Sequence, residues 1–120
     1  MKYSPFFESL ASIPVNKTDF KIEVLQWAEK LDVEVKSIAV RPMKNKWASC
    51  STNGRLNFSN AVMELDHELR DYVVVHELLH FSVPNHGKLW KSLMLAHLGD
   101  CEVSERRLRE IASSSKKESL

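Results

Sequence analysis

No stretch of this 120-residue chain approaches the ~20 consecutive apolar residues of a membrane span, so a membrane partner is not expected. The first eight residues carry Pro5 and Glu8 where a signal peptide needs an unbroken apolar run. Charge of either sign is not in excess: 17 Lys and Arg against 16 Asp and Glu give a formal +1, too weak a field to name nucleic acid or membrane as partner. Cysteine is scarce. Cys50 and Cys101 stand far apart and form no C-x-x-C pair, which excludes a disulfide framework and a zinc ribbon and fits a reducing, cytoplasmic setting. Internal repeats, linkers and a P-loop are missing too. What remains is an ordinary globular composition, 43% hydrophobic, of a length that supports one domain over residues 1–120.

Within that domain one stretch concentrates chemistry. His76-Glu77-Leu78-Leu79-His80, followed by Phe81-Ser82-Val83-Pro84-Asn85-His86, places three histidines and a glutamate in eleven residues. On a helix, residues four apart share a face, so His76 and His80 can direct two imidazole nitrogens at one ion while Glu77 projects to the side. A catalytic zinc takes three protein ligands and leaves a fourth position open, and His86 is the candidate third ligand, reached by a turn at Pro84-Asn85. Glu77 then stays uncoordinated and can take a proton from water acidified by the metal. The competing reading is a core helix with hydrogen-bonded histidines. It is disfavoured because Tyr72-Val73-Val74-Val75 already supply apolar core.

The flanking sequence predicts the frame. Residues 1–17 show no periodicity and are read as an N-terminal arm. Thr18 can cap a helix over 19–31, with Phe20, Val24, Trp27, Ala28 and Leu31 on one face. Residues 33–41 alternate as a strand with a bulge near Lys36-Ser37, stopped by Pro42. Two short runs around Asn53-Gly54 predict a hairpin with a type I′ turn. Helices follow over about 67–81, from His86 to Gly99 and over about 101–112, and residues 113–120 read as a disordered tail. The fold class is therefore α+β, with a small three-stranded antiparallel sheet and about four helices.

Four segments carry a family resemblance: Arg41 to Ser51 (RPMKNKWASCS), Gly54 to Phe58 (GRLNF), Asp71 to His80 (DYVVVHELLH) and Asn85 to Trp90 (NHGKLW). Together they resemble the YgjP-like metallopeptidases, and the third and fourth are also similar to the SprT-like and WLM metalloproteases. The resemblance implies a zincin-like domain, a hydrolase, zinc ligands His76, His80 and His86, the general base Glu77, and a peptide or protein substrate. Ala48 and Phe58 stand where glycine and leucine are usual in the family, and longer members carry a further N-terminal region. The family has also been linked with nucleotide hydrolysis, which leaves a nucleotide hydrolase as one alternative.

The other residues support weaker expectations. Asn57 and Phe58, read as an edge strand, are candidates for pairing with an extended peptide, and His97 for polarising a substrate carbonyl. Cys50 is either a thiolate ligand of the metal or a small buried residue. A second alternative is an adaptor with a structural metal that binds nucleic acid through Arg41, Lys44, Lys46 and a stacking Trp47. Against it stands the reading of Trp47 as core.

Overall fold

The computed structural model describes residues 15–51, 53–83 and 85–115. Most of the N-terminal arm, Pro84 of the predicted turn, and residues 116–120 of the predicted tail lie outside the described residues. Helix α1 is Lys17–Leu31, followed by β1 Ser37–Arg41, β2 Ala48–Cys50, β3 Arg55–Ser59 and a 3-10 turn over Asn60–Glu64. Three helices complete the chain: α2 His67–Leu79, α3 Lys88–Leu98 and α4 Glu102–Ser115. None is long and apolar enough to cross a membrane.

Helix α2 is the centre of the domain. Ten of its thirteen residues are buried, and Val73, Val74 and Val75 are sealed off from solvent. Their preference for strands is overridden by burial against α1, the sheet, α3 and α4. Helix α1 is fastened to it by polar contacts as well as by Phe20, Val24 and Ala28. The Arg70 guanidinium forks onto Glu23 at 3.1 and 3.0 Å, and Trp27 Nε1 donates to Asp71 at 3.0 Å. Caps differ slightly from expectation. Asn16, not Thr18, caps α1 by accepting from the Asp19 N–H at 2.8 Å, so the helix begins two residues early. Helix α4 runs on to Ser115, three residues past the predicted end.

The sheet corrects the prediction in two ways. Its order is β1-β3-β2, with β1 parallel to β3 and β2 antiparallel to it, so it is mixed rather than antiparallel. Residues 42–47 carry the chain across to the far edge, and the β2–β3 hairpin returns β3 into the centre. There its Leu56 and Phe58 become core, with Phe58 edge-on to Phe20 at 5.0 Å. Asn57 and Phe58 are consequently not on an edge strand. Nor do Val33 and Val35 belong to the sheet, because Asp32 ends α1 in the left-handed region (φ 56°) and pairing begins only at Ser37. The hairpin turn differs too. Gly54 is left-handed at φ 88° and donates to the Ser51 carbonyl at 3.2 Å, and the Ser51 N–H donates to the Arg55 carbonyl at 2.9 Å, so the loop is longer than the two residues of a type I′ turn. A Cβ at Gly54 would lie 3.0 Å from Lys36 Cγ, so the crossing of the chain over this turn also calls for glycine.

Helix α2 starts on Asp66, whose side chain accepts from the Leu69 N–H at 3.0 Å and pairs with Arg107 on α4. Partial burial acts to raise its pKa, but the Leu69 N–H and the Arg107 guanidinium together hold it below its ordinary 3.8. Asp66→Ala should therefore lower stability by about 1 kcal/mol through the lost cap, with a smaller share from the exposed ion pair. The sign of the pH dependence follows. Because the folded-state value is depressed, the contribution is complete above about pH 3.8 and is lost as pH falls through the lower folded value. Urea titrations of both proteins at neutral pH and near pH 2 measure it, and an equal difference at the two pH values would refute the assignment.

Candidate metal centre

The last turn of α2 brings His76 and Glu77 to the surface of the core, at 3% and 6% exposure, with His80 as the C-cap. Helix α2 stops there instead of reaching Phe81. His80 and Phe81 donate to carbonyls three residues back, and the Val83 N–H returns to the Leu79 carbonyl at 2.7 Å. That tight exit starts the reversal that delivers His86. Asn85 Oδ1 accepts from the Gly87 N–H at 3.0 Å, and a Cβ at Gly87 would sit 2.8 Å from that oxygen, so glycine allows the close turn into α3.

One ring nitrogen from each of His76, His80 and His86 lies within 4.8 Å of the other two. His80 Nε2 and His86 Nε2 are 2.9 Å apart. His80 Nδ1 lies 3.3 Å from the Val83 carbonyl, a contact in which Nδ1–H donates and the Nε2 lone pair is left free. Neutral imidazole nitrogens facing each other at this distance need a shared cation or proton. Partial desolvation, then the neighbouring His76 and His80, push His86 below the ordinary imidazole pKa, which keeps its lone pair available. The chemistry of the donor set therefore fits a metal ion. Among the described residues no fourth protein ligand joins the group.

Glu77 Oε2 is 3.3 Å from His76 Nδ1, yet that nitrogen has no aligned hydrogen-bond partner, so the carboxylate is not committed to the ring. The Cys50 thiol hydrogen-bonds Glu77. Burial first, then the charge and hydrogen bond of Glu77, raise the thiol's pKa, and Cys50 stands outside the group of three imidazoles.

Other predicted residues fall elsewhere. His97, exposed on the last turn of α3, lines a separate cavity with Trp27, Asp71 and Tyr72. Trp47 is 1% exposed, which removes it as a platform for stacked bases. His67 meets Glu23 and Asp71 in a second cluster, but there the side chains already satisfy one another. Arg70 contacts His67 Nδ1 at 3.2 Å, and His67 Nε2 reaches Asp71 at 3.2 Å.

Two residues at the centre were not singled out from sequence. The Trp90 indole packs against all three imidazoles, with centroids 4.9, 6.1 and 4.6 Å from His76, His80 and His86. Tyr72 is one turn before His76, with ring centroids 5.9 Å apart. The signal for both was the i, i+4 spacing, since Tyr72 precedes His76 and Trp90 follows His86 by four residues.

Comparison with known proteins identifies the family. The profile of a family described as the YgjP-like metallopeptidase domain matches residues 15–111. An uncharacterized protein of Methanocaldococcus jannaschii is 34% identical over 101 residues, which cover 80% of this chain and 92% of that protein. The crystal structure of the metallopeptidase zymogen of Methanocaldococcus jannaschii jannalysin aligns with a TM-score of 0.69 and 32% identity, over 82% of this chain and 99% of the other. The metallopeptidase zymogen of Pyrococcus abyssi abylysin shares the fold, with a TM-score of 0.70 and 19% identity over 84% and 99%.

Proposed function

The chain belongs to the YgjP-like metallopeptidase family, and from that premise we propose that it is a zinc peptidase in which His76, His80 and His86 hold the metal and Glu77 is the general base. As a metallopeptidase it is a hydrolase with a metal cofactor and peptide or protein substrates. The observation that carries the finer reading is the convergence of three imidazole nitrogens beside a nearly buried carboxylate that none of the rings engages in a hydrogen bond. Three histidines are a donor set that zinc favours, and catalytic zinc sites keep one position open.

When bound, zinc supplies Lewis acidity, lowering the pKa of a water from ~15.7 towards ~7 and polarising a carbonyl. The protein's own groups do the rest. Glu77 takes a proton on a carboxylate oxygen as water attacks the scissile carbonyl and returns it to the departing amine. The Cys50 thiol, donating to Glu77, holds the carboxylate in place. Trp90 fixes the three rings and excludes water from one side of them. Of the two edge strands, β2 lies against α2 and carries Cys50 beside Glu77, so the role of aligning an extended substrate passes from β3 to β2.

Metal removal tests this reading. Peptide hydrolysis by the purified protein should be abolished by a zinc chelator and recovered on adding back about one equivalent of zinc. Hydrolysis that persists in fully demetallated protein would overturn it.

A further inference from the structure

Two cavities open from the metal centre along the seam between α3 and α4. The inner one, about 130 Å³, has His76 and His86 in its wall. It shares Tyr72, Trp90, Lys91 and Glu105 with the outer one, of about 400 Å³, which continues over Met94 and Leu95. The outer volume alone lies in the ~300–1,000 Å³ range of ligand pockets.

We propose that this two-part groove is the specificity pocket of the enzyme, holding a large apolar side chain of the residue next to the scissile bond. The proposal rests on the metallopeptidase reading and adds the substrate class to it. A pocket that borders two of the three histidines receives whatever side chain neighbours a carbonyl placed there. Its apolar lining is made of Tyr72, Trp90, Met94 and Leu108, all buried, and of Leu95, which is 61% exposed and lines the outer part. An exposed leucine of that extent costs nothing when a ligand covers it and adds to binding.

The charged residues around the groove do not select charge. Arg109 and Glu105 are already paired at 3.0 Å, and Lys91, Asp100 and Glu102 bring charges of both signs to the outer wall. One polar anchor remains inside. Tyr72 is 4% exposed, and its hydroxyl has no hydrogen-bond partner among the described residues, although its ring borders both cavities. A hydroxyl without a protein partner at a cavity wall is completed by water or ligand.

The test is isothermal titration of the zinc-loaded full chain with two hydroxamates that chelate the metal equally and differ only in carrying a benzyl or a methyl side chain. It reads binding and needs no turnover. The benzyl compound should bind at least about tenfold more tightly, the scale on which an apolar pocket separates side chains of different size. In Leu95→Trp, a change at an exposed position that narrows the outer groove, the ratio should shrink to within about threefold while zinc stoichiometry is unchanged. Zinc uptake without a benzyl preference, or a preference that survives Leu95→Trp, overturns the pocket and leaves the zinc peptidase reading standing. Failure to take up zinc overturns that reading and the pocket with it.

Discussion

Glu77→Gln should keep the fold and the metal and lose about 10²–10⁴-fold in peptide hydrolysis, at or beyond the upper part of that range. The amide is nearly isosteric with the carboxylate, and the three imidazoles that converge on the site are untouched. What it lacks is an oxygen basic enough to accept a proton. The nearly complete burial of Glu77 makes the substitution a clean one, since no neighbouring carboxylate appears in the wall of the inner cavity except Glu105 on α4. The measurement pairs a hydrolysis assay with metal analysis of the same preparation. Full turnover in the variant would remove Glu77 from the mechanism. Loss of metal together with activity would mean that Glu77 belongs to the coordination itself.

The second large effect is on composition. Protein purified without chelator should contain about one zinc per chain, and the double variant His76→Ala, His80→Ala close to none. Two of three ligands are removed, and the remaining His86 is exposed, on a loop outside α2. Atomic absorption decides the matter, with circular dichroism to show that α2 is retained. The control is built into the molecule: Glu23, His67 and Asp71 are intact in the variant, so zinc remaining at the wild-type level would place the metal there and sink the assignment of the three histidines.

The grouping of the three imidazoles was legible because its spacing is short-range. His76, Glu77 and His80 are fixed relative to one another by the pitch of one helix, and a turn of a few residues bounds the position of His86. Helices α1 to α4 were legible for the same reason. Sheet connectivity was not. Alternation identifies strands but says nothing of which strand lies beside which, so the chain order of three strands suggested a meander. The actual neighbour of β1 is decided by the burial of Leu56 and Phe58. Asn57 and Phe58 were misplaced as an edge through that one step. Val33 and Val35 show the same limit, since they alternate as a strand would but follow a left-handed cap and have no partner in the sheet. The contact between Cys50 and Glu77 joins residues 27 apart in sequence, and no local pattern encodes it.

The three imidazoles are not equally held, and this has a kinetic consequence. His76 is locked in a buried turn, His80 ends that turn half-buried and tethered to Val83, and His86 stands exposed on the connection to α3. Local opening is cheapest where burial is least, so under the proposed assignment exchange of the ion would begin and end at His86. His76 and His80 would then form a standing two-point dock, with His86 the latch that turns a fast, weak encounter into slow residence. The lifetime of the bound ion would thus be set by the eight residues between two helices, while its first two ligands are set by the helix itself.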